Sequence, residues 1–286
     1  SGGAAGRTRS SVAGAASATT VSPSHSARLP SGWGRSASGR PIGTGARSAT
    51  LATGPPRRRA SAPPTQPPLP LVRGPLLERL RALDNVHWRA EPTFPAAIAG
   101  EVAPVTKPHD PAAIIGTRRD ATAEEVDAAF TRAAAIQPGW DALGGEARAL
   151  LLEEAAELFE HHAAEFLSLC QREAGKTLLD SVLELREAVD FLRFYAAEAR
   201  RQFAAPTILP GPTGEENSLM LHGRGVFVTI APWNFPLAIF IGMASAALAA
   251  GNSVLAKPAP QTPLIAALAI RLCHQAGIPP EALQLV

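Results

Sequence analysis

Between residues 76 and 223, apolar residues recur every three to four positions, a spacing typical of amphipathic helices. A short first helix is predicted after the proline-rich start, because its leucines recur at helical spacing: Leu76, Leu77, Leu80 and Leu83. The segment from Glu101 to Gly116 combines several prolines with isolated apolar residues, so we expect it to be extended.

The next helix opens with a capping box, the pattern in which Thr122 and Glu125 satisfy each other's backbone N–H groups. Its apolar face is predicted to comprise Val126, Ala129, Phe130 and Ala133. We expect Pro138–Gly139 to end this helix, because proline lacks a backbone donor and glycine is flexible.

Two longer helices are predicted after it, from about Glu146 to Glu173 and from about Leu178 to Phe203. Gly175 is the expected stop between them, since helices commonly end at a glycine in a left-handed conformation. Residues 206–216 are rich in turn formers and are interpreted as a connector.

From residue 224 onwards, short apolar runs alternate with helical ones. The predicted elements are strand Val226–Ile230, helix Leu237–Ala250, strand Ser253–Ala256, helix Pro263–Gln275 and strand Leu283–Val286. This alternation predicts an α/β fold with a doubly wound, Rossmann-like parallel sheet. Three strands make an incomplete sheet, so we expect a truncated cofactor domain at residues 224–286, preceded by a helical part at residues 76–223.

Residues 1–75 differ from the rest in charge and composition. They contain ten arginines, no lysine and no acidic residue, and the remaining chain carries a net charge of −8. With little to bury, this segment is expected to be disordered. Three interpretations stay open: a flexible linker, a transit-like peptide, or sequence read in the wrong frame. Its arginines predict only weak, non-specific binding of nucleic acid.

The remainder has the composition of a cytoplasmic protein. Two cysteines, Cys170 and Cys273, are too few for a disulfide framework, which favours a reducing compartment. No apolar run reaches the ~20 residues that span a bilayer. The acidic part has no basic stripe for specific nucleic-acid recognition.

Two strand-to-helix corners hold the most informative side chains. Asn234 follows the strand that ends at Ile230, and Lys257 follows the next strand along the chain. Ligands bind at the carboxyl ends of strands in open α/β sheets. There, an amide can stabilise an oxyanion and a lysine can bind ribose or phosphate. Taken singly, Asn234 is a turn residue and Lys257 a solvated one; together with Pro232 and Trp233 they favour a site.

Other candidates are weaker. No Gly-x-Gly-x-x-Gly pattern follows either strand, so an ordinary Rossmann phosphate loop is absent. Cys170 and Cys273 fall inside predicted helices, away from the helix amino termini that activate thiolates, and are interpreted as core residues. The pair His161–His162 is interpreted as a solvated helix face, and no metal site is predicted.

The segments Ile230–Pro236 and Gly251–Ala259 resemble those of the aldehyde dehydrogenase superfamily. The segments Arg172–Thr177, Glu184–Tyr195 and Gln261–Ala267 narrow the resemblance to the Δ1-pyrroline-5-carboxylate (L-glutamate γ-semialdehyde) dehydrogenases, including the carboxyl-terminal half of bifunctional proline utilisation proteins. It covers the chain from about residue 88 to residue 286.

The resemblance implies oxidation of an aldehyde with NAD, through a cysteine thiolate and a glutamate-activated water. It implies that Asn234 is the oxyanion-hole asparagine and that Lys257 binds the adenosine ribose. The residues that it assigns to the rim of the cofactor are Ile230, Pro232, Trp233 and Ala259, and it directs Phe235 towards the aldehyde.

Two departures from the family pattern bear on function. Pro260 stands where the family commonly has a ribose-binding glutamate, so cofactor affinity is in doubt. The family's catalytic cysteine, general-base glutamate and Gly-Ser-Thr-Glu segment have no counterpart in this sequence. We therefore expect a fragment of a glutamate γ-semialdehyde dehydrogenase, from a homo-oligomeric parent enzyme, that is inactive alone.

Two alternatives stay open: a dehydrogenase for another aldehyde, or a non-catalytic nucleotide-binding or interaction protein. We also expect the edge strand Leu283–Val286 to be exposed and to promote association of the isolated chain.

Overall fold

The computed structural model of the protein describes residues 69–95 and 100–286. The expected disorder of residues 1–75 lies outside these ranges, apart from its last seven positions. Those positions belong to helix α1 (Leu69–Ala82), which begins ahead of the expected boundary and includes the predicted leucines except Leu83, which lies in the turn after it.

The segment predicted to be extended forms a β-hairpin. Strands β2 (Val102–Lys107) and β3 (Asp110–Arg119) pair antiparallel, and β1 (Trp88–Ala90) pairs parallel with β3. The order in this sheet is β1-β3-β2. The apolar pattern did not reveal β1, because three residues are too few to establish a period.

Helix α2 (Ala123–Ala142) begins with the predicted capping box and runs past its predicted end. The Glu125 N–H donates to Thr122 Oγ1 at 3.3 Å, and the Thr122 N–H donates to Glu125 Oε2 at 2.9 Å. The expected break at Pro138 is wrong, since Pro138 lies inside the helix. Buried Trp140 holds the last turn in place by donating from Nε1 to the Leu248 carbonyl at 3.0 Å.

The helix predicted from Glu146 to Glu173 is two helices, α3 (Gly145–His161) and α4 (Ala163–Arg172). The chain turns at His162, and the turn brings the buried rings of Phe159 and Phe166 to 4.7 Å between centroids. Packing of these aromatic side chains therefore prevails over a continuous helical pattern.

Helix α5 (Leu178–Phe203) matches its prediction, and Gly175 precedes it with a positive φ of 68°. The connector after α5 contains a small hairpin that was not predicted, formed by β4 (Thr207–Leu209) and β5 (Asn217–Leu219). The apolar side chains of this hairpin are exposed, so its sequence lacks the alternation of apolar and polar residues that a half-buried strand shows.

The second half confirms the predicted parallel sheet. Its elements are β6 (Val226–Ile230), α6 (Ala238–Ala249), β7 (Ser253–Lys257), α7 (Pro263–Gln275) and β8 (Leu283–Leu285). The order is β6-β7-β8, and both pairs are parallel. The fold class is therefore α/β, as predicted.

Helices cover both faces of the central strand β7. Leu255 packs against Ala129 and Ala133 of α2 on one face. Val254 and Ala256 belong to the main core, which includes the apolar sides of α6 and α7. The three residues are buried on alternate sides, as expected for a strand inside an α/β sheet.

The outer edge of β8 is not exposed, contrary to the prediction for this strand. The Leu285 N–H donates to Thr93 Oγ1 at 2.7 Å, and the Leu285 carbonyl accepts from the Thr93 N–H at 3.1 Å. The Leu283 N–H donates to the Pro279 carbonyl, and the Leu283 carbonyl lies within hydrogen-bonding distance of His274 Nε2. These contacts occupy the groups that an added strand would need.

The open edge of this sheet belongs to β6. Within the described ranges, β6 pairs with β7 alone. Phe227, Val228 and Ile230 are exposed on it, Ile230 at 65%. An apolar edge of this kind is prone to pair with another strand. We therefore expect association of the chain to involve β6, and not β8 as predicted from the sequence.

Candidate functional site at the carboxyl edge of the sheet

The two corners singled out in the sequence lie side by side. Ile230 and Lys257 are partners in the β6–β7 register, and the Ala231 N–H donates to the Lys257 carbonyl at 3.1 Å. We call residues 231–236 the Asn234 corner and residues 257–262 the Lys257 corner. Both follow the carboxyl ends of parallel strands, which is where α/β sheets bind ligands.

The Asn234 corner lines a cavity of about 570 Å³, which lies between this corner and the first turns of α5. Trp233, Asn234 and Phe235 form one wall, and their side chains are exposed. Residues 174–177 and one side of α5 form the opposite wall. The Asn234 amide is therefore accessible to a small molecule in this cavity.

A buried glutamate from α5 holds the Asn234 corner in place. Oε1 of Glu184 accepts from the Leu237 N–H at 2.9 Å and from the Ala238 N–H at 3.1 Å. Helix α6 has no side-chain cap of its own. Glu184 therefore satisfies two of the free donors that every helix has at its amino terminus.

Lys176 connects this glutamate to the corner. Its ammonium group pairs with Oε2 of Glu184 and lies 4.4 Å from the centroid of the Phe235 ring. No role for Lys176 or Glu184 was predicted from the sequence, although both occur in the segments that carry the family resemblance. Their contacts with the Asn234 corner and α6 join positions about fifty to sixty residues apart, and no local pattern reveals them.

The Lys257 corner lines a second cavity of about 390 Å³. Lys257 Nζ donates to the Pro258 carbonyl at 3.2 Å, and Ala259 is buried in the wall. The apolar lining comes from the sheet and α2, including Val126, Phe130, Val228, Leu255 and Leu285. An apolar cavity with a few polar groups at its mouth is the usual form of a small-molecule site.

Pro260 lines the same cavity, and its carbonyl accepts from Arg118 Nη1 at 3.1 Å. Two carboxylates, Glu91 and Asp120, also line this cavity. They are paired with arginines, Glu91 with Arg89 at 3.6 Å and Asp120 with Arg118 at 3.4 Å.

The two corners contribute to different cavities. Lys257 and Ala259 line one, and Trp233, Asn234 and Phe235 line the other. Ile230 and Pro232, also predicted to bind the cofactor, line neither. Ile230 lies on the open edge of β6, next to Lys257 in register.

A second buried glutamate caps the helix after the Lys257 corner. The carboxylate oxygens of Glu173 accept from the Leu264 N–H at 2.7 Å and the Ile265 N–H at 2.9 Å, at the start of α7. Burial raises the pKa of Glu173 to about 8, and the two hydrogen bonds oppose this rise.

The raised pKa of Glu173 predicts a pH-dependent stability. Between its ordinary pKa of 4.5 and about 8, the folded chain retains a proton that the unfolded chain has released. The free energy of unfolding should therefore fall as pH rises through this window. Urea unfolding across the window should give a weaker dependence for Glu173→Gln than for the wild type; an unchanged slope contradicts the assignment.

Neither cysteine is placed to act as a nucleophile. Cys170 and Cys273 are both buried and unpaired. Burial raises the pKa of both thiols, that of Cys273 to about 12, so neither offers a thiolate near neutral pH. This agrees with their interpretation as core residues.

The histidine pair makes a local contact, with His162 Nδ1 at 3.1 Å from Glu165 Oε1. Among residues 69–95 and 100–286, no group of three metal-binding side chains comes together. None of the helices in the same ranges is long and apolar enough to cross a membrane.

Comparison with known proteins identifies the family. Residues 96–286 match the aldehyde dehydrogenase family. The chain is 46% identical over 200 residues to the bifunctional protein PutA of Escherichia coli K12, covering 70% of this chain and 14% of PutA. It thus spans about a seventh of the length of that relative.

Solved structures agree with this match. A mutant of proline utilization A from Bradyrhizobium japonicum is 57% identical with a TM-score of 0.58, covering 58% of this chain and 17% of that one. A 1-pyrroline-5-carboxylate dehydrogenase from Thermus with bound NAD is 30% identical with a TM-score of 0.69, covering 81% of this chain and 45% of that one. The chain therefore belongs to the aldehyde dehydrogenase family.

Proposed function

We propose that this chain is part of an NAD-dependent dehydrogenase that oxidises L-glutamate γ-semialdehyde to L-glutamate in proline catabolism. The observation that carries the proposal is the adjacency of the Asn234 and Lys257 corners, joined by the bond from the Ala231 N–H to the Lys257 carbonyl. An oxyanion donor and a ribose donor thereby lie on one edge of one sheet. The similarity to PutA and to a pyrroline-5-carboxylate dehydrogenase supports the substrate.

The residues around Lys257 fit a dinucleotide. The apolar wall formed by Val228, Leu255 and Pro258 suits a flat base, and the Lys257 ammonium group is available to ribose hydroxyls. When bound, NAD supplies the hydride acceptor. Selection of NAD over NADP is part of the proposal and rests on the family.

In this proposal, Asn234 stabilises the developing oxyanion. Its side-chain amide donates a hydrogen bond to the aldehyde oxygen as negative charge builds up there. Because both cysteines are buried, the thiolate nucleophile comes from outside this sequence, and the 286-residue chain alone does not turn over aldehyde. We further propose a cytoplasmic, homo-oligomeric enzyme; two unpaired cysteines suit a reducing compartment.

The test is an assay of NADH formation by the complete gene product and, in parallel, by the 286-residue chain. We expect the complete product to oxidise glutamate γ-semialdehyde with a higher kcat/KM than succinate semialdehyde or propionaldehyde, and the chain alone to be inactive. A preference for another aldehyde overturns the substrate assignment alone. Absence of NADH with every aldehyde overturns the proposed activity, and turnover by the chain alone overturns the external nucleophile.

Replacing Lys257 by methionine should raise the Kd for NAD by about tenfold or more, the effect of losing a charged hydrogen bond. Isothermal titration of the complete gene product and of its Lys257 variant with NAD measures both Kd values directly. Lys107→Met is the matched control, because Lys107 lies in β2 and lines neither cavity. Equal NAD affinity of the Lys257 variant and the wild type contradicts the assignment of Lys257.

A further inference from the structure

The amino terminus of α6 is held by a residue from another helix. Its cap position, Leu237, is apolar and provides no side-chain hydrogen bond. Glu184, projecting from α5, accepts both the Leu237 and Ala238 N–H groups through one oxygen. Since Asn234 is separated from Leu237 by only two residues, this bond fixes where the strand-to-helix turn ends.

Lys176 contacts the same turn through Phe235. It pairs with the second oxygen of Glu184, whose side chain is fully buried, and its ammonium group faces the Phe235 ring at 4.4 Å. Its N–H donates to the Cys170 carbonyl at 3.1 Å, which anchors its own backbone to the end of α4. Three residues that closely follow Asn234, namely Phe235, Leu237 and Ala238, thus contact one buried ion pair.

The chain contains an internal comparison for this arrangement. Glu173 caps α7 after the Lys257 corner, where it accepts the Leu264 and Ile265 N–H groups with one oxygen each. The two glutamates therefore hold different corners, and each can be removed while the other remains.

We propose that Glu184 and Lys176 are positioning residues for Asn234: the buried ion pair fixes the Asn234 corner through α6 and Phe235. The consequence for catalysis rests on the proposed function, because a displaced amide stabilises an oxyanion poorly. The positioning of the Asn234 corner by the ion pair does not rest on the proposed function. It can be measured on this chain whether or not the protein is a dehydrogenase.

The structural test is amide hydrogen exchange of the 286-residue chain, resolved by residue. In Glu184→Ala, exchange at Leu237 and Ala238 should accelerate by about tenfold or more, as expected for loss of a helix cap, while Leu264 and Ile265 stay protected. Glu173→Ala should give the reverse pattern. A uniform acceleration in both variants, or none at Leu237 and Ala238 in Glu184→Ala, overturns the proposal.

Should Glu184→Ala fail to fold, Glu184→Gln keeps the inference testable. Gln retains an acceptor for the two N–H groups but loses the ion pair with Lys176. In the complete gene product, we expect Glu184→Gln and Lys176→Met to lower kcat several-fold at an unchanged Kd for NAD. An unchanged kcat in both variants of an active enzyme overturns the positioning role, whereas an inactive wild type overturns only the proposed function.

Discussion

Replacing Asn234 by alanine is expected to lower kcat of the complete gene product by about 100- to 1000-fold, the range found when one oxyanion-hole donor is removed. The Kd for NAD should not change, because Asn234 and Lys257 line different cavities. Stopped-flow measurement of NADH formation, combined with NAD titration, separates the two effects.

Asn217→Ala is the matched control for this substitution. Asn217 lies in the hairpin strand β5, its amide donates to the carboxylate of Glu215 at 3.4 Å, and it lines neither cavity. If Asn217→Ala has the wild-type kcat, the lower kcat of Asn234→Ala is specific to position 234. Retention of more than about a tenth of the wild-type kcat in Asn234→Ala contradicts the oxyanion role.

Replacing Arg148 by methionine is expected to lower the free energy of unfolding by about 3 to 5 kcal/mol, the cost of breaking a buried charged network. Arg148 is fully buried and donates to the carbonyls of Ala249, Trp140 and Asp141, at 3.1, 3.2 and 2.6 Å. These bonds join the end of α2 to the end of α6. Methionine leaves the Ala249 and Trp140 carbonyls without the Arg148 donor, whereas the Asp141 carbonyl retains the Gly144 N–H.

The midpoint of urea unfolding measures this effect, and Arg186→Met is its control. Arg186 is exposed and forms a surface pair with Asp190 at 3.9 Å, so we expect a change below about 1 kcal/mol. Similar midpoints for the Arg148 and Arg186 variants contradict the structural role of Arg148.

Elements with a long, uninterrupted apolar period were predicted well. Helix α5 and helix α7 match their predicted bounds, and β6 and β7 lie where short apolar runs flank turn residues. In these segments, the local pattern and the tertiary packing favour the same structure, so the sequence alone suffices.

The errors occur where distant contacts prevail over local preference. Pro138 does not end α2, because buried Trp140 beyond it bonds the carbonyl of Leu248. The edge of β8 is closed by Thr93, a residue almost two hundred positions away. Neither contact can be recognised from the spacing of apolar residues in the sequence.

The candidate site was predicted in part for the same reason. Asn234 and Lys257 were identifiable because each follows a strand within a distinctive motif. Glu184 and Glu173 were not, since the N–H groups that they cap lie fifty to ninety residues further along the chain. A glutamate in a helical pattern is indistinguishable from a solvated one until the facing helix end is known.

The most direct test of the proposed site is a crystal structure of the complete gene product with NAD bound. We expect ribose oxygens within hydrogen-bonding distance of Lys257 Nζ, with the nicotinamide directed towards the cavity that contains the Asn234 amide. A dinucleotide bound away from Lys257, or a nicotinamide remote from Asn234, would contradict the assignment of this sheet edge as a dehydrogenase site.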